Sequence, residues 1–363
     1  MRARIVEERA RFARAELIEV LAPGPARTEP PCPVFGSCGG CAWQQVAYPA
    51  QVEAKRAILR DALERIGGAT LPEELAFTSS PQAFGYRARA RVVVHEGLVG
   101  YRKRRSHTLC DTLRCPILVP ALEAALPGLA RERAGEWELA AGADDEVRAT
   151  RLPTPGRTSD RPSERGRSGS PMTLRVGPDR LALSPGVFAQ SNVLLHDTLA
   201  AAVQDAAGSG TLALELYAGA GFFTLGLARR FTRVIAVESH PVAVADLARN
   251  LRSAGLSNVE VRKARVEAAL AGPLGERPDA VVLDPPRTGL APGAAAALAT
   301  LRPPRIVYLS CDPATLARDV RGLCGRGYAL VSVCGFDLFP QTPHVEALVV
   351  LERSALLAGC EKT

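Results

Sequence analysis

Leu212-Ala213-Leu214-Glu215-Leu216-Tyr217-Ala218-Gly219-Ala220-Gly221-Phe222-Phe223 is an apolar run that ends in two glycines one residue apart. A run of this length reads as a buried strand, and the glycines as a strand-to-helix turn where a ligand can approach the backbone. From about residue 186 onward the pattern repeats. Strands are expected at 212–217, 233–238, 258–262, 279–284, 305–310, 328–334 and 345–351, with Ala/Leu-rich helical segments between the first six. That alternation predicts an α/β fold, a doubly wound, mostly parallel sheet of seven strands. The last connection, 335–344, is too short for a helical crossover, so the final strand should run antiparallel to its neighbour.

The glycine turn narrows the ligand. Gly219-Ala220-Gly221-Phe222-Phe223 lacks the third glycine of a dinucleotide fingerprint and so needs no pyrophosphate cradle. The second strand ends in Glu238, where an acid can bind ribose hydroxyls. Together they suit an adenosine cofactor without a diphosphate, S-adenosylmethionine, in a Rossmann-like class I methyltransferase fold.

Two later strands end in reactive side chains. Ala280-Val281-Val282-Leu283 runs into Asp284-Pro285-Pro286-Arg287, and Ile306-Val307-Tyr308-Leu309-Ser310 into Cys311-Asp312-Pro313. An antiparallel last strand starts at the edge where parallel strands stop. Glu346 should therefore share a rim with Asp284 and Cys311, where ligands bind in such folds. Taken alone, a cysteine at a strand end is more often inert packing; Cys324, Cys334 and Cys360 are read that way, and His344 as a loop residue that shapes its turn.

The chain has 363 residues, 47% hydrophobic and 23% charged, with a formal net charge of +7. That length supports two or three domains with real cores. The basic balance favours a polyanionic partner. No run of about 18 apolar residues suggests a membrane span, and the charged N-terminus has no signal-peptide core, so a cytoplasmic protein is expected. Nine cysteines in that setting point to metal binding or catalysis rather than disulfides.

Ahead of the alternating region, residues 1–30 are basic and end Pro-rich, and residues 31–185 should form a smaller α+β domain. Within it Val52, Ile58, Leu59, Ala62, Leu63 and Ile66 recur at helical spacing over 49–66, closed by Gly67-Gly68. This helix is expected to pack on the domain of residues 186–363. Residues 84–101 alternate as strands. Residues 152–171, rich in Pro, Ser, Gly and Arg, read as a mobile loop, either a solvated insertion or an RNA-touching arm. Cys32, Cys38 and Cys41 follow C-x5-C-x2-C. A fourth thiolate is needed; Cys115 is the best candidate and Cys110 the alternative. Spacing alone leaves zinc and an iron–sulfur cluster open.

These motifs resemble the RNA (uracil-5-)methyltransferase family. The elements that carry the likeness are the cysteine cluster, Phe188-Ala-Gln190-Ser-Asn192, Leu216-Tyr-Ala-Gly219-Ala-Gly221, Asp284-Pro-Pro-Arg287-Thr-Gly289, Tyr308-Leu-Ser-Cys311-Asp-Pro313-Ala-Thr-Leu-Ala-Arg318-Asp319 and Asp337-Leu-Phe-Pro340-Gln-Thr-Pro-His344-Val-Glu346. The resemblance implies that Gln190, Tyr217, Glu238 and Asp284 line the cofactor pocket beside Gly219 and Gly221. It implies that Cys311 is the nucleophile, that Glu346 is the base, and that a [4Fe–4S] cluster sits on Cys32, Cys38, Cys41 and Cys115. It further implies a monomer acting on RNA, 23S rRNA before tRNA, because typical bacterial tRNA members lack the cluster.

Uracil chemistry asks for the same groups. Its C5 is a poor nucleophile until a thiolate adds at C6, and a base must then remove the C5 proton before the thiol can leave. A uracil held in RNA structure must also be extruded to reach the rim.

Residues 1–30 resemble the last strands of the family's small RNA-binding barrel, the TRAM domain, so a truncated domain or an internal start codon is expected. Arg102, Lys103, Arg104 and Arg105 are candidates for compensating phosphate contacts, or a solvated charge run. Two other readings stay in view. A cytosine-5 methyltransferase lacks support because no cysteine follows Asp284-Pro-Pro. A non-catalytic RNA-binding or ribosome-assembly protein would not need Cys311 and Glu346 together.

Overall fold

The computed structural model describes residues 1–10, 12–143, 146–152, 171–272 and 274–354. Nearly all of the loop read at 152–171 lies outside the described residues, as does Cys360. Among the described residues no helix is long and apolar enough to cross a membrane.

The N-terminal strands β1 (Arg2–Arg9) and β2 (Phe12–Glu19) form an antiparallel hairpin with Ile5, Phe12, Leu17 and Ile18 exposed. Helix α1 (Tyr48–Asp61) starts with Pro49 in its first turn, where a missing N–H costs nothing. It continues through one π turn, Ala62–Ile66, and stops at Gly67. Its buried face is Gln51, Lys55, Leu59 and then Ala62 and Leu63, so two polar residues lie in line with the apolar stripe. Ile58, which the periodicity places inward, is 37% exposed.

After β3 (Ala76–Thr78) comes an antiparallel sheet of β4 (Arg89–His95), β5 (Leu98–Arg102), β6 (Leu109–Asp111), helix α2 (Pro120–Leu129), β7 (Gly135–Ala141) and β8 (Val147–Arg151), in the spatial order β6-β5-β4-β7-β8. Strand β4 alternates as its sequence suggests. Ala90, Val92 and Val94 turn inward against Leu122, Leu126 and Leu129 of α2. The hairpin β9 (Met172–Val176) and β10 (Asp179–Leu183) follows.

The C-terminal region comprises α3 (His196–Ala207), β11 (Gly210–Leu216), α4 (Thr224–Ala228), β12 (Phe231–Glu238), α5 (Pro241–Ser253), β13 (Val259–Lys263), α6 (Val266–Ala271), β14 (Ala280–Leu283), α7 (Ala294–Leu301), β15 (Arg305–Ser310), α8 (Pro313–Cys324), β16 (Tyr328–Phe336) and β17 (Glu346–Arg353). The sheet order is β13-β12-β11-β14-β15-β17-β16-β3. β11 to β15 are mutually parallel, and β17 enters antiparallel between β15 and β16. The expectation of seven strands needs one correction. β3 adds an eighth, parallel to β16, from far upstream in the chain.

Both faces of the sheet are covered. Leu212, Leu214, Leu216, Ile306 and Tyr308 pack under Leu316 and Val320 of α8, together with Leu59 and Leu63 from the α1 region. Ala213, Val282, Val307 and Leu309 face α3 and α4 on the other side. Leu59 and Leu63 are each 0% exposed, and burial of this kind contributes roughly 1.5–3 kcal/mol per side chain. The β9–β10 hairpin docks on α5. There the Ala182 N–H donates to Asn250 Oδ1 at 2.8 Å and the Ser184 hydroxyl to Asp246 Oδ1 at 2.8 Å.

Candidate active site

The rim where β11 to β15 stop carries the chemistry. Cys311 follows Ser310, the last residue of β15, and Ser310 pairs with Ala347 of β17, so Glu346 lies beside Cys311. Asp284 follows β14, one strand away. Asp312 caps α8, its Oδ1 accepting from the Ala314 and Thr315 N–H groups at 3.1 and 2.9 Å. That cap fixes the chain immediately after the thiol.

The Asp284–Leu290 loop is fastened to α8. Thr315 Oγ1 donates to the Arg287 carbonyl at 3.1 Å, and Arg318 Nη2 to the Thr288 carbonyl at 2.9 Å. Asp319 Oδ2 accepts from the Leu290 N–H at 2.8 Å and from the Tyr308 hydroxyl at 2.7 Å. Gly289 has φ +73°, and a Cβ there would lie 2.4 Å from Asp319 Oδ2, so the loop closes on glycine alone.

The rim is acidic, with Glu346 buried and Asp284 and Cys311 half-buried. Glu346 is 2% exposed and its Oε1 has no hydrogen-bond partner. Burial, then the charge of Asp284, push its carboxyl well above the usual range, with Arg287 opposing. Asp284 is pushed up by burial too, and Gln190 Nε2 donates to its Oδ2 at 3.4 Å. The Cys311 thiol is pushed up to about 11 by burial and by the Glu346 and Asp284 charges, and Arg287 again opposes. Glu215, 2% exposed beneath the glycine turn, is pushed up to about 8, burial being the main cause.

The cofactor candidates divide between two places. Tyr217 and Glu238 line a cavity of about 670 Å³ together with Ser239, Arg265 and Pro286. Asp284 sits instead close enough to Cys311 and Glu346 for its charge to raise both, and Gln190 reaches Asp284 at 3.4 Å. Glu238 accepts from the Gly219 N–H at 2.9 Å and from the His240 N–H at 2.6 Å, which leaves lone pairs free for hydroxyl donors. Gly221 has φ +100°, and a Cβ there would meet Leu247 Cδ1 at 2.7 Å. A turn shaped this way beside an acid with lone pairs to spare fits the adenosyl group.

Cys32, Cys38, Cys41 and Cys115 line a second cavity, of about 620 Å³. Cys110, the alternative fourth ligand, is buried on β6 and is not part of its wall. The Gly39 N–H donates to the Arg102 carbonyl and the Arg104 N–H to the Ser37 carbonyl, both at 3.0 Å, which stitches the cysteine loop to the end of β5. Burial pushes the Cys38 and Cys41 thiols up to about 11. Arg87, Arg102, Lys103 and Arg105 share the cavity wall, and Arg102 also pairs with Glu136 at 3.0 Å. Among the described residues no three His, Cys, Asp or Glu side chains are placed to hold a single metal ion. The four thiols share the wall of one cavity with several cations.

Of the cysteines read as inert packing, Cys334 is half-buried beside Thr78, whereas Cys324 is exposed at the end of α8. Sequence reasoning did not find Gln51, Lys55, Asp319 or Glu215. The first two had a signal: polar residues one turn apart in line with Leu59 and Leu63.

Comparison with known proteins gives the family. A family model described as tRNA (Uracil-5-)-methyltransferase matches residues 181–272 and 276–354. The 23S rRNA (uracil(1939)-C(5))-methyltransferase RlmD of Edwardsiella ictaluri is 33% identical over 96% of this chain and 87% of its own length. That of Alkalilimnicola ehrlichii is 33% identical over 98% and 89%. The crystal structure of the Pyrococcus abyssi tRNA (uracil-54, C5)-methyltransferase in complex with S-adenosyl-L-homocysteine superposes with a TM-score of 0.77 over 97% of this chain and 92% of that one, at 23% identity, and shares the fold. The chain thus belongs to the RNA (uracil-5-)methyltransferase family and is an S-adenosylmethionine-dependent methyltransferase.

Proposed function

We propose that the protein forms 5-methyluridine in 23S rRNA, with Cys311 as nucleophile and Glu346 as base. The observation that carries the reading is the meeting of a thiol and an unpartnered buried carboxyl at adjacent strand ends, one strand from Asp284. Cys311 loses its proton to solvent and its sulfur bonds to C6 of the uracil, which moves the C5–C6 π electrons toward the O4 enolate and makes C5 nucleophilic, while Glu346 stays a carboxylate for the later step. Bound S-adenosylmethionine supplies the methyl group from its sulfonium. Glu346 then takes the C5 proton, the C5–C6 double bond re-forms, and the thiolate leaves. Arg287 favours the thiolate, since it opposes the raised thiol. Tyr217, Glu238, Gly219 and Gly221 hold the adenosyl end, and Asp284 and Gln190 face the reacting ring.

Cys32, Cys38, Cys41 and Cys115 would hold a [4Fe–4S] cluster in a structural role, because the reaction has no redox step. The two curated relatives above act by name on 23S rRNA, which favours that substrate over tRNA.

The test is incubation with labelled S-adenosylmethionine and unmodified 23S rRNA or tRNA. Label should appear as 5-methyluridine in 23S rRNA, be lost in Cys311→Ala, and stay covalently bound to the protein in Glu346→Gln. Label in tRNA alone would move the substrate. Turnover in Cys311→Ala would sink the mechanism.

A further inference from the structure

The segment between β16 and β17 leads directly into Glu346, and most of its hydrogen bonds to other segments come from the first quarter of the chain, with Asn192 on the Asp337 carbonyl and Arg287 on His344 as the exceptions among the described residues. Lys55 and Asp337 form an ion pair of 2.5 Å with both side chains 0% exposed. Lys55 Nζ also donates to the Phe339 carbonyl at 2.9 Å, and the Tyr86 hydroxyl to the Pro340 carbonyl at 2.9 Å. Gln341 is the centre of the arrangement, with every polar group partnered from upstream. Its N–H donates to Gln51 Oε1 at 2.9 Å, and its Oε1 accepts from Gln51 Nε2 at 2.9 Å. Its Nε2 donates to the Ala83 carbonyl at 3.2 Å. Its own carbonyl accepts from the Ala42 and Trp43 N–H groups at 2.9 and 3.0 Å, directly after Cys41.

Gln341 holds φ at +68°, a left-handed conformation that side chains other than glycine rarely adopt. A strained residue with all its polar groups engaged marks a backbone fixed from outside. Nothing in the β16–β17 ladder requires that conformation. The ladder itself ends at Glu346, which pairs with Phe336. The base therefore stands at the joint between a paired strand and a clamped loop, at 2% exposure.

We propose that Gln51 and Gln341, with Lys55 and the Cys41–Trp43 segment, are positioning residues for Glu346, and that their clamp serves the elimination step rather than thiolate addition or methyl transfer. Cys311 and the α8 cap Asp312 make no hydrogen bond to Gln51, Lys55 or Gln341, and from the Cys311 side it is Arg287 that reaches the same loop, 3.5 Å from His344 Nε2, so the early steps should depend on the clamp less than elimination does. The proposal rests on Glu346 being the base.

The experiment uses the full-length protein with labelled S-adenosylmethionine and the RNA substrate. It compares wild type, Glu346→Gln, Gln51→Leu, Gln341→Gly and Gln341→Asn. Gln341→Gly relieves the left-handed strain while removing the side-chain bonds, so it keeps the test readable if Gln51→Leu does not fold. The readout is the fraction of methylated RNA left covalently attached to protein, alongside the single-turnover rate of methyl transfer. Gln51→Leu and Gln341→Gly should raise the trapped fraction about tenfold while transfer stays within about threefold, since an ångström of misplacement costs on the order of 100-fold at a reacting group. Gln341→Asn, which tolerates the conformation and keeps an amide, should lie nearer wild type. Trapping in Glu346→Gln with wild-type partitioning in both clamp variants overturns the clamp alone. A general loss of transfer without trapped RNA also overturns it, because that is the mark of a merely structural role. Free turnover in Glu346→Gln removes the base, and the proposal with it.

Discussion

The molecule contains two cysteine sites with similar burial and opposite surroundings. At the sheet rim Cys311 faces Glu346 and Asp284, with Arg287 the cation that opposes them. In the other cavity Cys32, Cys38, Cys41 and Cys115 share walls with Arg87, Arg102, Lys103 and Arg105. Burial pushes Cys311, Cys38 and Cys41 alike up to about 11. The difference lies in what each site does with negative charge. The rim resists a standing thiolate, which suits a nucleophile needed only for an instant and then released. The cavity sets several cations around its thiols, the setting in which the proposed cluster would place its negative charge. Burial alone says little about a cysteine; the sign of its neighbours says more.

The largest expected effect breaks the comparison on the cavity side. Cys38→Ser, Cys41→Ser and Cys115→Ser should each abolish bound iron and the absorbance near ~400 nm expected of a cluster, whereas Cys110→Ser should leave both in place. Stoichiometric zinc without iron in the wild-type protein would overturn the assignment.

A middling effect sharpens the rim side. With the Cys311 thiol near 11, only the thiolate reacts with iodoacetamide. Alkylation of the Cys311 peptide, followed by mass spectrometry, should rise about tenfold per pH unit between roughly pH 7 and 10. Arg287→Gln removes the opposing cation, raises the thiol further and should slow alkylation several-fold at fixed pH. A plateau near pH 7 would mean that the acids around Cys311 do not act on it as described.

The smallest effect concerns support rather than chemistry. Asp312→Ala removes the cap of α8 and should cost about 1 kcal/mol of stability, read as a few degrees in the thermal midpoint. An unchanged midpoint would show that the two N–H groups find other partners.

How much could be read from sequence follows from where the information lies. Strands β11, β12, β14 and β15 are short, almost unbroken apolar runs, so their rim residues Asp284 and Cys311 were legible, and the short 335–344 connection placed Glu346 beside them. Strand β3 was not legible. Ala76-Phe77-Thr78 is too short to show a period, and it exists as a strand because β16 offers it an edge. Gln51 and Lys55 fall in line with Leu59 and Leu63 on the apolar stripe, but the sequence does not show what would partner them there. They are buried because Gln341 and Asp337, nearly the whole chain away, fill their hydrogen-bonding needs. The π turn that ends α1 has no sequence signal that we can identify.

The clamp on Gln341 also bears on how the protein is made. Gln51 and Gln341 are separated by 290 residues. At a synthesis rate of about 5–20 residues per second the helix waits roughly 15–60 s for the loop it must hold. Only in about the last tenth of that interval has Cys311 been made, and the strand that starts at Glu346 has then not yet entered the sheet between β15 and β16. A nascent chain therefore passes through a stage with the proposed nucleophile and without the proposed base. Contacts this distant in sequence form late, after the local ones, so turnover should begin only once the last strand is seated, and chains that stop short of it should lack the elimination step altogether.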